Sequence, residues 1–169
     1  MIKMFGVIFV IVSCGIVGFK IAANYKKEEK YLSDLIMIVD YMISELQYRL
    51  PPLPQLCRQA SHILNNALGN IFKIFSDELE LQQYADPAEC MSIALSNVKD
   101  VPSITREQII TLGFCLGHFD IDGQIKGMES VKKECERHLA LLRNNRDNRL
   151  RSYQTLGLCA GAALAILFV

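Results

Sequence analysis

The feature that most restricts this chain is a pair of uncharged apolar runs, one near each end. Residues 4–19 hold no charged group and one polar residue, Ser13, between Lys3 and Lys20. Residues 155–169 are uncharged as well. As helices each is roughly 22–24 Å long at about 1.5 Å per residue, against a hydrocarbon core of ~30 Å. Lys3 and Lys20 can snorkel, and Ile21 to Ala23 lengthen the first run by a turn. The second run reaches across by taking in Leu150 to Tyr153, tilting little, or sitting where the bilayer is thin. The expectation is two membrane spans, residues 1–25 and 153–169, around a helical domain of residues 26–152.

Two plainer readings compete with this one. The first run has the basic start and apolar core of a secretion signal, but Lys20 stands where a cleavage region is small and neutral. The second run could instead be a core helix of a globular domain. Gly157 and Gly161 form a GxxxG pair there, and Gly15 and Gly18 place small residues on the first run. Small residues let membrane helices approach closely, so these four glycines are the expected packing positions.

Flanking charge sets the orientation. Lys26, Lys27 and Lys30 follow the first run, diluted by Glu28 and Glu29; Arg143, Arg146, Arg149 and Arg151 precede the second, with Asp147 among them. Acids count little in the positive-inside rule, so the middle of the chain is expected in the cytoplasm. Eighteen Lys plus Arg balance eighteen Asp plus Glu, which argues against nucleic-acid binding by bulk charge. Two of the six cysteines, Cys14 and Cys159, lie in or beside the apolar runs. Cys57, Cys90, Cys115 and Cys135 are widely spaced without a CxxC, so no zinc site or redox pair is indicated. In a reducing cytoplasm they are expected as buried thiols.

The middle reads as all-α, an antiparallel helical bundle. Leu32, Leu35, Ile36, Val39, Met42, Ile43, Leu46 and Leu50 recur at three- and four-residue steps, one stripe that Pro51, Pro52 and Pro54 stop. A second helix is predicted from about Pro54 to Leu68, ending at Gly69, with Leu56, Ala60, Ile63, Leu64 and Ala67 inward. A third starts near Ile71, with Phe72, Phe75 and Leu79. Asp86-Pro87-Ala88-Glu89 has the N-cap, first-turn proline and acid of a helix start. A fifth begins at Ser103 or Thr105 and runs through Ile109, Leu112 and Leu116. The last is long, with Ile125, Met128, Cys135, Leu139 and Leu142 on its stripe.

Catalytic signals are poor. His62, His118 and His138 are scattered, none at a nucleophile's spacing from Cys or Ser, and there is no Gly-rich phosphate loop. The dense polar cluster runs from Leu116 to Lys126. Asp120-x-Asp122 is reminiscent of a calcium loop, but Gly123 comes too early and Val131 stands where an EF-hand needs Glu. A metal-dependent membrane phosphohydrolase using Asp120 and Asp122 would need a further carboxylate, and only Glu129 is near. The physical reading is a helix corner, with Gly117 as C-cap and Asp120 or Asp122 as N-cap of the long helix. Such a corner can also present a binding surface. No metal or other cofactor is expected.

These residues carry a resemblance. The chain resembles the stage III sporulation protein AB family along its whole length. The matching features are Gly18-Phe19 with Ala22 and Tyr25, Glu45-Leu46-Gln47-Tyr48, Pro52-Leu53, and Leu156-Gly157. The most specific is Leu116-Gly117-x-x-Asp120-x-Asp122-x-Gln124-x-Lys126. A Thr usually precedes the Pro-Leu pair in the family; this chain has Pro51, which removes a hydroxyl cap. The resemblance implies a membrane protein of the complex joining mother cell and forespore, in the mother-cell membrane around the forespore. It also implies a helical domain similar to the platform proteins, called F, of type II secretion. Those dock a cytoplasmic ATPase; here the implied partners are the stage III sporulation protein AA ATPase and other stage III membrane proteins. The implied role is a non-catalytic platform, with Leu116, Gly117, Asp120, Asp122, Gln124 and Lys126 as partner surface or helix corner. The alternative role is a passive tether that forms homo-oligomers through its membrane helices.

Overall fold

In the computed structural model the backbone is described for residues 2–81, 86–118 and 120–168, and side chains for 24–81, 86–117 and 120–144. The described residues form six helices and no strand. They are α1 (Ile2–Tyr48), α2 (Leu53–Ser61), α3 (Ala67–Leu81), α4 (Pro87–Asn97), α5 (Ser103–His118) and α6 (Ile121–Phe168). Among the described residues no helix is long and apolar enough to cross a membrane. The two apolar runs, with Gly15, Gly18, Gly157 and Gly161, fall outside the residues whose side chains are described, as do Cys14, Cys159 and His118.

The helices fall into two compact units, Lys30–Leu139 and Met1–Glu29 with Ala140–Val169. In the latter, Arg143 Nε donates to Glu29 Oε1 at 2.9 Å, tying α6 to α1.

The Lys30–Leu139 unit is built on the apolar stripe of α1. Leu32, Leu35, Val39, Met42 and Leu46 are buried at alternating three- and four-residue steps, which keeps them on one helix face. Ile38, three residues after Leu35 and four before Met42, joins that face. Ile36 and Ile43 sit at its edge, half-buried, and Leu50 is exposed. Phe72 and Phe75 of α3 are the bulkiest fully buried side chains. Each contributes on the order of 1.5–3 kcal/mol by leaving water. Tyr41 Oη donates to Gln59 Oε1 at 3.2 Å, joining α1 to α2. Ser76 Oγ donates to the Pro54 carbonyl at 3.0 Å, so the buried hydroxyl holds α3 to α2.

The expected helix over 54–68 is two helices with a break. α2 ends at Ser61 and α3 starts at Ala67. Asn66 causes the new start. Its Oδ1 accepts from the Leu68 and Gly69 amides at 2.9 and 3.2 Å, an N-cap that satisfies two otherwise orphaned donors. Its Nδ2 donates to Asp34 Oδ2 at 2.8 Å, fixing that start against α1. Gly69 therefore does not end a helix. It lies in the first turn of α3, where a Cβ would collide with the Leu64 carbonyl and stand 2.8 Å from the Ser61 carbonyl oxygen.

At α2 the N-cap is Pro52, and no side chain caps the helix. α4 begins as its sequence specifies: Asp86 Oδ1 accepts from the Ala88 amide at 2.9 Å, with Pro87 in the first turn. Cys57, Cys90, Cys115 and Cys135 are free and buried. Desolvation pushes the Cys57 and Cys135 thiols well up, Cys135 to about 12 with Glu134 and Glu136 adding to the effect.

Candidate docking groove

Two helix ends meet at the side of the Lys30–Leu139 unit. α1 ends because Pro51 offers no amide hydrogen and disfavours a helical conformation in the residue before it. That residue, Leu50, takes a left-handed conformation at φ 50°. The Arg49 and Leu50 amides both reach the Glu45 carbonyl, at 2.9 and 3.2 Å. The reversal leaves Leu50 58% exposed. α6 begins beside this end. Asp120 Oδ1 accepts from the Gly123 amide at 3.0 Å, and the Asp120 carbonyl accepts from Gln124 at 2.8 Å.

Between them lies an open groove of about 490 Å³, lined by Leu46, Gln47 and Leu50 from α1 and Ile121, Asp122, Ile125, Lys126 and Glu129 from α6. Further along the same two helices Lys132 Nζ meets Asp40 Oδ1 at 2.6 Å, so α1 and α6 run antiparallel through this unit. That hydrogen bond, against a smaller desolvation effect, raises the Lys132 pKa.

The polar cluster from Leu116 to Lys126 separates into distinct tasks. Leu116 is a core residue. Gly117 is not a left-handed C-cap, since no described glycine has positive φ. It is helical, the penultimate residue of α5, and its bare Cα faces Pro87, whose Cδ would lie 2.8 Å from a Cβ. Asp120 caps α6. Gln124 does not line the groove, whereas Asp122 and Lys126 do. The α1 motif supplies Leu46 and Gln47 from the facing helix, while Tyr48 stands 83% exposed.

Leu50 and Ile125, which the apolar periodicity places on core stripes, line the groove together with Ile121. The signal available for Leu50 was the following proline, which takes the residue out of the helix and off the stripe.

The charged groups of the groove form no close ion pair among the described residues, although Glu129 lies near enough to Lys132 to favour its charged form. Farther along α6, Lys132 pairs with Asp40 and Glu136, Glu134 with Arg137 and His138, and Arg143 with Glu29. Asp122, Lys126 and Glu129 form no salt bridge among the described residues. Among those residues no three His, Cys, Asp or Glu side chains are grouped to hold a metal ion. Asp120 is engaged in capping, and His62 is exposed.

The geometry describes an all-helical protein with an open groove lined by two helix ends. The family model for stage III sporulation protein AB matches residues 3–169, and the chain belongs to that family. The stage III sporulation protein AB of Bacillus subtilis (strain 168) is 24% identical over 173 residues, covering 100% of both chains. A solved structure of a stage III sporulation protein AB superposes with a TM-score of 0.64 at 18% identity, over 72% of this chain and 98% of that one. The shared fold is thus the helical one described above.

Proposed function

We propose that this chain is a non-catalytic membrane platform of the sporulation complex between mother cell and forespore. Its helical domain docks a cytoplasmic ATPase, the stage III sporulation protein AA. The observation that carries this reading is the groove, which joins Leu46 and Gln47 of one family-like motif to Asp122 and Lys126 of another, the two charged groups forming no salt bridge among the described residues. A buried structural corner would pair or shield such groups, since unpaired charge away from water is costly. On a wet rim it stays free to recognise a partner.

Membrane anchorage at both ends rests on the apolar runs of residues 4–19 and 155–169, and the cytoplasmic placement of the domain on the arginines before the second run. Other stage III membrane proteins are the expected neighbours in the bilayer, with Gly15, Gly18, Gly157 and Gly161 as packing positions.

The test is co-purification of the full-length protein with the AA ATPase, from membranes, for the natural chain and for Lys126→Glu. Capture by the natural chain and loss in the variant, with unchanged expression and thermal midpoint, supports docking at the groove. Equal capture by both places the contact elsewhere. A reporter inserted near Pro102 checks the orientation: activity outside the membrane would remove any contact with a cytoplasmic ATPase.

A further inference from the structure

The charges along the groove alternate. Asp122 and Lys126 are four residues apart and Glu129 three beyond, so they share one face of α6 over about two turns. Beside this acid–base–acid ladder runs an apolar edge, with Leu50 58% and Ile121 45% exposed, Ile125 half-buried and Leu46 at the floor. A helix laid in the groove covers that edge with apolar residues at three- and four-residue steps. Its flanking positions then oppose the ladder.

We propose that the groove takes an amphipathic helix of a partner protein whose flank carries base, acid and base, opposed to Asp122, Lys126 and Glu129. This rests on the platform reading in that a protein partner docks here. Two other occupants fit the charges poorly. An anionic lipid or nucleic-acid surface selects uniform positive charge, whereas the ladder is acidic on balance. A second copy joined about a two-fold axis would set Asp122 against Glu129 and Lys126 against its own equivalent, like facing like at every step.

The test uses the full-length protein in nanodiscs of zwitterionic phosphatidylcholine and two dye-labelled synthetic helical peptides. Both carry the same leucine face; one has Lys, Glu, Lys along its flank and the other Glu, Lys, Glu. Fluorescence polarisation should give about tenfold tighter binding of the Lys-Glu-Lys peptide to the natural chain. The triple variant Asp122→Lys, Lys126→Glu, Glu129→Lys should invert the preference, and its thermal midpoint checks that it folds. Lipid binding by the peptides is common to both chains and cancels. Equal affinity for the two peptides, no binding of either, or a preference that the triple variant leaves unchanged overturns the proposal. A doubled particle mass without peptide, lost on Lys126→Glu, also overturns it, because a second copy then fills the groove. ATPase capture without peptide discrimination removes the charge pattern and leaves the platform; discrimination without ATPase capture does the reverse.

Discussion

Gly117 of α5 packs directly on the ring of Pro87 at the start of α4: a Cβ at 117 would lie 2.8 Å from Pro87 Cδ and 3.0 Å from its Cγ. The pyrrolidine ring cannot rotate away as a flexible side chain would, so relief requires moving the first turn of α4, which Asp86 caps. Gly117→Ala gains about 0.5–1 kcal/mol of helix propensity. The overlap costs about 1–3 kcal/mol. The expected outcome is a net loss of stability, read as a lower thermal midpoint, without a specific loss of partner binding in the fraction that folds.

Leu50 is predicted to trade stability for recognition. A left-handed conformation costs a non-glycine residue about 1–2 kcal/mol, and glycine is the usual solution at a helix end. Because the Leu50 side chain is 58% exposed, little burial is lost on removing it. Leu50→Gly should hold or raise the thermal midpoint while weakening capture of the partner at the groove. A midpoint drop of several degrees with capture intact would show that the leucine serves the fold.

The two aspartates of the corner should behave differently. Asp120→Ala removes the cap on the Gly123 amide and is expected to cost about 0.5–2 kcal/mol. Asp122→Ala, exposed on the groove, should stay within about 0.5 kcal/mol and act on binding. Denaturant unfolding of the two variants side by side checks the order.

The buried thiols give a pH dependence with a definite sign. The ordinary Cys pKa of 9.0 applies to the unfolded chain, whereas Cys135 is pushed up to about 12 in the fold and Cys57 moves the same way. The fold therefore favours the protonated form. Its contribution is complete below pH 9.0 and is lost as pH climbs from there toward about 12. The thermal midpoint should fall over that range. At pH 8 the four described cysteines, all buried, should resist a thiol reagent until the protein is unfolded. Rapid modification of Cys57 or Cys135 in the folded protein at that pH would contradict their burial.

Much of this fold is legible from neighbours along the chain. Leu32, Leu35, Val39, Met42 and Leu46 announce a buried helix face because three- and four-residue steps bring side chains to one side. Asp86-Pro87 announces a helix start because a carboxylate and a preset φ serve the first turn wherever they occur. Pro51 ends α1 for an equally local reason. Tertiary structure decided what depends on contacts through space. Gly117 looks like a helix stop, yet it is helical, made necessary by the Pro87 ring that arrives from α4, whereas at Gly69 the carbonyl in the way is that of Leu64 in the turn just before it. Asn66 divides the apolar stretch over 54–68, and its amide is anchored by Asp34 on a distant helix. The groove sets Leu46 and Gln47 beside Asp122 and Lys126. Nothing local encodes that pairing. It exists because antiparallel packing of α1 and α6, with Asp40 and Lys132 in contact, brings one helix end to the other.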